Sequence, residues 1–251
     1  FKGYIMNILI LSAGGPTAHG AIKSLRDIDF DGKIVSVDSN PLSAGFYLSD
    51  NYYVIPKAFD DGYIDKLLQI VKDENIDLIL PTSSNDIITI SENSHLFDCK
   101  LFMSDYEAID ICSDKLKFYE KCKDKFPLPK TSMDYNDVDF PIFAKPKEHS
   151  AGSRGISLCK TIHNVNCLNT DKYKYIYQEY LPGMEYTIDV LCDMDSNPLA
   201  IVPRERLQTK AGISSKGRIV KNDFIEKSCF EICKFLNLKG PICLQKSKIG
   251  W

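Results

Sequence analysis

Residues 142–159 read IFAKPKEHSAGSRGISLC, and this stretch decides how the second half of the chain is interpreted. An apolar run ends at Lys145, a loop of small residues follows, and another apolar run ends at Cys159. Two short strands joined by a glycine-containing loop predict a hairpin in an antiparallel sheet. Because consecutive backbone N–H groups in such a loop bind anions, a lysine at the strand end can reach the same anion. The stretch therefore predicts a phosphate site, although a plain hairpin would leave the same pattern.

Further polar residues follow in an ordered series on both sides of this hairpin. Lys115 lies at the start of a helix predicted over residues 113–124, with Ser113 as its N-cap. Gln178-Glu179-Tyr180-Leu181 ends a predicted strand. Arg204 and Arg206 alternate along a strand, so both can point to the same side of a sheet. The series also contains Glu185, which opens a strand, and Gln245, which ends a late one. Each residue alone fits a solvated surface, and only their order favours a common site.

The first ~105 residues show strands that alternate with helices, which predicts a parallel sheet with right-handed crossovers. The loop 14–20 reads GGPTAHG between a strand and a helix, and it matches neither G-x-G-x-x-G nor a P-loop. Asp38 ends the second strand, where a dinucleotide enzyme holds ribose. An NAD(P)-dependent oxidoreductase is therefore one hypothesis, and a tight turn with a loop aspartate explains the same residues equally well.

Bulk composition limits the class of partner. The chain has 251 residues and a net charge of -3, which gives no electrostatic reason to expect nucleic acid or a membrane surface. Its nine cysteines include no C-x-x-C pair, so we expect reduced thiols in a cytoplasmic protein. No apolar run approaches the ~20 residues of a membrane span. Residues 1–5 precede Met6 and are interpreted as an upstream extension.

With these residues in order, the sequence resembles the ATP-grasp superfamily, in its carbamoyl-phosphate-synthetase-like branch of carboxylate–amine ligases. The motifs that carry the resemblance are SDK at 113–115, FAKP at 143–146, the loop 150–155, QEYL at 178–181, GMEY at 183–186 and RER at 204–206. The resemblance implies an α/β fold with a Rossmann-like, doubly wound parallel sheet, followed by α+β ATP-grasp lobes with antiparallel sheet. The implied domains are 6–110 and 111–251, and the second divides into a small lobe, 111–181, and an incomplete last lobe, 182–251.

The resemblance also implies roles for individual residues. ATP phosphates would meet Lys115, Lys145 and a flap made of Ser150, Ala151, Gly152, Ser153 and Gly155. Adenine would meet Glu179, Tyr180 and Leu181, and Glu185 would hold the ribose. Arg204 and Arg206 would face the γ-phosphate or a carboxylate substrate, and Gln245 would stand near Mg²⁺. The implied cofactors are ATP and Mg²⁺, and the partners are a small carboxylate and an amine, with a homodimer left open. Gly14, Gly15 and Asp86 of the first domain would help to bind the acceptor.

One departure separates the sequence from the resemblance. Members of the superfamily continue past the Gln245 strand into a strand with a Glu-x-Asn motif, which supplies the main Mg²⁺ ligands. Residues 246–251 read KSKIGW and contain no such motif, so we expect a chain cut short. Two hypotheses follow besides the oxidoreductase: an ATP-dependent ligase that works through an acylphosphate, and a nucleotide- or substrate-binding module without catalysis.

Overall fold

The structure is a computed structural model that describes residues 5–148, 155–210 and 213–247. The chain divides into two compact units, Phe1–Tyr106 and Glu107–Trp251. Within the described residues, none of the helices combines the length and the apolar character that a bilayer span requires.

The first unit alternates strands and helices. In chain order these are β1 (Ile8–Ile10), α1 (Pro16–Asp27), β2 (Ile34–Asp38), β3 (Asn51–Val54), α2 (Tyr63–Asp73), β4 (Leu78–Leu80), α3 (Ser84–Glu92) and β5 (Lys100–Leu101). The strands form a parallel sheet in the order β3-β2-β1-β4-β5. All three residues of β1 are buried, as expected for a central parallel strand that is covered on both faces. The predicted doubly wound sheet is confirmed.

The second unit starts with two short helices and continues mainly with strands. Its elements are α4 (Tyr106–Ser113), α5 (Lys115–Cys122), β6 (Thr131–Ser132), β7 (Ile142–Pro146), β8 (Ser157–Cys159), α6 (Ile162–Asn166), β9 (Tyr175–Glu179), β10 (Glu185–Cys192), β11 (Pro198–Lys210), β12 (Ile213–Ile219), α7 (Asp223–Phe235) and β13 (Gly240–Ser247). One antiparallel sheet has the order β6-β9-β7-β8, and we call it the small sheet. The other has the order β12-β11-β10-β13 and longer strands, and we call it the larger sheet. The predicted antiparallel second half is confirmed.

The second of these sheets has one buried face and one open face. Ile188, Val190 and Cys192 of β10 pack with the apolar side of α7, including Ile225 and Ile232. Since side chains alternate along a strand, the intervening residues of β10 point away from α7. This open face carries the candidate site.

The start of α5 corrects one expectation. The sequence indicates Ser113 as the N-cap of a helix over residues 113–124, but Ser113 is the last residue of α4. Asp114 is the N-cap instead, and its side chain accepts hydrogen bonds from the backbone N–H groups of Leu116 and Lys117, at 2.9 and 3.1 Å. Only Asp114 separates the two helices, so the sequence shows no sign of the break between them.

Candidate functional site

Lys145 stands near the end of β7 on the face that points away from the small sheet's own core. Its neighbours Ile142 and Ala144 are buried in that core, whereas Lys145 and Phe143 are half-buried on the other side. The Lys145 ammonium donates a hydrogen bond to the amide oxygen of Gln178 on β9 and lies 5.5 Å from the centre of the Phe143 ring. Gln178 is fixed in turn, because its amide donates to Thr131 Oγ1 at 2.9 Å. The lysine is therefore oriented by three strands of the sheet.

Lys115 approaches the same strand end from α5. Its backbone N–H donates to the Lys147 carbonyl at 3.1 Å, and its Nζ donates to the Pro146 carbonyl at 2.9 Å. Asp114, the helix cap, also forms an ion pair with Lys147. The helix start is thus fastened to the end of β7, one residue beyond Lys145.

Burial and nearby charges shift the pKa values of both lysines. Burial and the charge of Lys115 together lower the pKa of Lys145 to about 8, against the opposing effect of the Glu185 carboxylate. Burial also lowers the pKa of Lys115, against the attraction of Asp114 and Glu148. Two ammonium groups held close together in a partly buried position are typical of a site that binds an anion.

Glu185 and Arg206 lie on the open face of the larger sheet, and the charge of Glu185 acts on Lys145. Arg206 Nη1 lies 3.5 Å from a carboxylate oxygen of Glu185, and only 6% of the Arg206 side chain is exposed. Arg204 lies opposite Thr187 in the pairing of β10 and β11, and Gln245 lies opposite Thr187 on the other side, in β13. Sequence reasoning placed Arg204 and Arg206 on one face, and the register of these strands puts both on the open face.

The residues expected to meet adenine lie at the end of β9 and directly after it. The backbone N–H of Glu179 donates to the Lys130 carbonyl at 2.8 Å, and the Glu179 carboxylate accepts from the Lys130 N–H at 3.2 Å. The Tyr180 ring lies 5.5 Å from the Phe143 ring. Leu181 is half-buried. Phe143 and Tyr180 therefore provide an apolar surface next to Lys145 that could carry a flat base.

Two site residues have no role in the sequence analysis, although both occur in its motifs. Phe143 and Gln178 each share the Lys145 side of the small sheet. For Phe143 the signal is the two-residue period of a strand, which places it on the same side as Lys145. For Gln178 the pairing register of β7 and β9 is needed, and the sequence does not supply it.

Most of the predicted flap lies outside the described residues, namely Ser150, Ala151, Gly152 and Ser153. Gly155 is described and has φ +74°, a backbone conformation that favours glycine. A Cβ on Gly155 would come within 2.9 Å of both Pro146 and the Tyr173 ring. Glycine is therefore required where the chain returns from this loop into β8.

The glycine loop of the first unit has a structural explanation. Gly14 N–H donates to one carboxylate oxygen of Asp38 at 2.8 Å, and Asn40 N–H donates to the other at 2.8 Å. Both carboxylate oxygens of Asp38 thus accept hydrogen bonds from backbone N–H groups of the loops that follow β1 and β2. Asp86 likewise accepts hydroxyl hydrogen bonds from Ser12, Tyr63 and Ser83. These contacts favour the tight-turn explanation over a ribose site.

The residues around Gln245 do not fit a magnesium site by themselves. Mg²⁺ prefers hard oxygen ligands, usually carboxylates together with phosphates. Among the described residues there is no group of three or more His, Cys, Asp or Glu side chains that could hold a metal ion. On the open face, the carboxylates nearest to Gln245 in the strand register are Glu185 and Asp189, each two residues from its partner Thr187. They already contact Arg206 and Arg204, respectively.

Comparison with known proteins agrees with this geometry. The model of the ATP-grasp domain family matches residues 112–242, which is more than half of the chain. The chain belongs to the ATP-grasp family. A second model, described as the N-terminal domain of PylC-like proteins, matches residues 8–102.

Curated relatives of this ATP-grasp chain include large chains of carbamoyl phosphate synthase. It is 26% identical over 215 residues to the one from Campylobacter jejuni, a match that covers 74% of this chain and 19% of the relative. It is 23% identical over 193 residues to the arginine-specific one from Halalkalibacterium halodurans, covering 70% of this chain and 18% of the relative. The chain therefore spans about a fifth of the length of these relatives.

Solved structures share the fold of this ATP-grasp chain. The N5-carboxyaminoimidazole ribonucleotide synthetase in its ADP complex superposes with a TM-score of 0.76 and 13% identity, covering 100% of this chain and 70% of that one. The biotin carboxylase domain dimer of 2-oxoglutarate carboxylase from Hydrogenobacter thermophilus, solved with MgADP, gives 0.73 and 13%, covering 99% and 63%. At these identities the likeness establishes the fold alone.

Proposed function

We propose that this chain binds ATP in its second unit, with the triphosphate at Lys115 and Lys145. The observation that carries the proposal is that Lys115 is fastened to the end of β7 beside Lys145, where its Nζ donates to the Pro146 carbonyl at 2.9 Å. The charges of Lys115 and Glu185 both act on the pKa of Lys145. Two close positive charges disfavour each other, and a bound polyanion removes that cost. ADP in the similar structure of the ribonucleotide synthetase is consistent with this ligand class.

The other residues are proposed to arrange the rest of the nucleotide. Phe143 and Tyr180 would stack on the base, with Glu179 and Leu181 at its edge. Glu185 would accept hydrogen bonds from the ribose hydroxyl groups. Gly155 and the predicted flap before it would cover the phosphates. Arg206, which is nearly buried beside Glu185, and Arg204 would neutralise charge at the reacting end.

The reaction we propose is an ADP-forming ligation. A carboxylate oxygen of a small substrate attacks the γ-phosphorus, ADP leaves, and an acylphosphate forms. An amine then attacks the acyl carbon and releases phosphate. Positioning and charge neutralisation are the main demands of phosphoryl transfer, and the lysine and arginine side chains supply both. The substrates are proposed to be small molecules.

A second candidate is a module that binds nucleotide without catalysis. It is favoured by one observation: the described residues around Gln245 offer no carboxylate cluster for Mg²⁺. The two candidates share the nucleotide site and differ in whether ATP is consumed. The cytoplasmic location and the domain ranges 6–110 and 111–251 stay predictions.

Measuring ADP release with Mg²⁺, ATP, a panel of small carboxylates and an amine separates the two candidates. Release that needs a carboxylate supports the ligase, and ATP binding without release supports the module. Lys145→Ala should weaken ATP binding by ~1.5–3 kcal/mol, the size of a hydrogen bond to a charged group. The exposed Lys160, which lies just after β8, gives the matched control Lys160→Ala. Equal affinities of the two variants would contradict the site, as would the absence of ATP binding by the folded wild type.

A further inference from the structure

An ion pair lies on the open face of the larger sheet, beside the proposed nucleotide site. Arg204 donates from Nε and Nη2 to the two carboxylate oxygens of Asp189, at 2.7 and 3.1 Å. A two-pronged contact of this kind fixes the plane of the guanidinium as well as its position. The side chains are 32% and 52% exposed, and pairs at this exposure contribute only ~0–1 kcal/mol to stability. Stability alone therefore explains little of the geometry.

The direction of the contact is informative. Arg204 is paired with Thr187 across β10 and β11, yet its side chain reaches diagonally to Asp189, two residues further from Glu185 along β10. Arg206 contacts Glu185, which the same register brings opposite to it. Residues two apart on a strand lie ~6.7 Å apart on the same face, so without Asp189 the two guanidinium groups could approach the same anion. The ion pair with Asp189 holds the Arg204 guanidinium away from that of Arg206.

Arg204 keeps donors for a further acceptor. A guanidinium has about five N–H donors, and in the described part of the chain Asp189 engages two of them. The backbone of Arg204 lies in the same row of the sheet as Thr187 and Gln245. This row is two residues, ~6.7 Å, from Glu185 along β10, a spacing that a nucleotide anchored at Glu185 can span.

We propose that Asp189 is a positioning residue that holds Arg204 for the terminal phosphoryl group of ATP. The inference rests on the proposed nucleotide site. It makes recognition of the third phosphate depend on a residue that touches no ligand.

The same strand offers a matched control. Glu205, adjacent to Arg204, points to the opposite face of β11 and accepts from Arg218 Nε at 2.9 Å. This pair has the same chemistry and lies in the same sheet, but it is on the side away from the open face. Glu205→Gln therefore removes an equivalent carboxylate without touching the site.

The test is calorimetric titration of the full chain with ADP and with the non-hydrolysable analogue AMP-PNP, both with Mg²⁺. We expect Asp189→Asn to weaken AMP-PNP binding about tenfold and to leave ADP binding within about twofold, since only the third phosphate loses a charged contact. Asp189→Glu should recover part of the loss. Arg204→Lys, which keeps the charge but loses the two-pronged contact, should behave like Asp189→Asn.

The pattern of losses decides between a positioning role and a merely structural one. Equal weakening of ADP and AMP-PNP by Asp189→Asn, or the same selective loss in Glu205→Gln, would overturn the inference. An Asp189→Asn variant with the wild-type affinity for AMP-PNP would also overturn it, provided that the wild type binds ADP. A wild type that binds neither nucleotide would overturn the proposed function itself, and this inference with it.

Discussion

At the scale of single residues, Lys145 is the group whose chemistry the fold alters most clearly within the proposed site. Burial and the charge of Lys115 bring the pKa of Lys145 down to about 8. Its ammonium form therefore carries a cost in the free protein. A bound triphosphate would reverse this, because a neighbouring negative charge favours the protonated form.

This shift predicts a pH dependence of nucleotide binding. Below about pH 8 Lys145 is protonated and affinity should be flat, whereas above it affinity should fall by up to about tenfold per pH unit, with proton uptake on binding. Titrations in buffers of different ionisation enthalpy, between about pH 7.5 and pH 9.5, measure both quantities.

Lys115→Met provides the control for this prediction. Removing the neighbouring charge should raise the pKa of Lys145 and move the break to higher pH. An affinity that rises above pH 8 would contradict the assignment of Lys145 to the phosphates.

The pH dependence of stability has the opposite sign. The folded-state pKa of Lys145 lies below its unfolded value, so its contribution to the free energy of unfolding rises as pH increases from about 8 toward 10.

At the scale of elements, the junction of α4, α5 and β7 brings Lys115 to the site. Asp114 caps α5 and forms an ion pair with Lys147, so one carboxylate fastens the helix start to the strand end. Ser113, by contrast, donates to the Asp110 carbonyl within α4 at 3.2 Å.

Asp114→Ala should therefore lower the free energy of unfolding by roughly 1–3 kcal/mol, since it removes an N-cap and leaves Lys147 without this partner. Ser113→Ala should change it by less than about 0.5 kcal/mol. Urea unfolding of both variants measures the difference. A larger loss in Ser113→Ala would restore Ser113 as the cap.

The open face of β10, β11 and β13 gives a second prediction at this scale. Cys243 lies opposite Asp189 in the register of β10 and β13, and the charges of Asp189, Arg204 and Arg206 influence its pKa, which burial raises. A nucleotide on this face should slow alkylation of Cys243 several-fold by covering it. Cys167, exposed at the end of α6, should react at the same rate with or without nucleotide.

Peptide mass spectrometry after iodoacetamide treatment separates the two cysteines. Equal protection of both, or protection of Cys167 alone, would mean that the nucleotide does not lie on the open face.

At the scale of the whole molecule, the sequence predicts the two sheet types and most of the strands that build them. Alternation of apolar runs with helical segments suffices for the first unit, because a buried parallel strand such as β1 has its own signature. In the second unit the order of the polar residues at the ends of helices and strands nominates Lys115, Lys145 and Glu185.

Other features depend on contacts between residues far apart in sequence. The hydrogen bond of Lys145 to Gln178 follows from the pairing of β7 with β9, and the contact of Arg204 with Asp189 follows from a diagonal across β10 and β11. The same applies to Asp38, whose strand-end position resembles a ribose site until its two backbone contacts are seen. Strand register, which composition and periodicity do not specify, decides the first two, and the backbone of the loops after β1 and β2 decides the third.

The most direct test of the central claim is a crystal structure of the chain with Mg²⁺ and AMP-PNP. The account predicts phosphate oxygens about 3 Å from the Nζ atoms of both Lys115 and Lys145, with a ribose hydroxyl group at Glu185. A nucleotide bound elsewhere, for example at the loop 14–20 of the first unit, would contradict it.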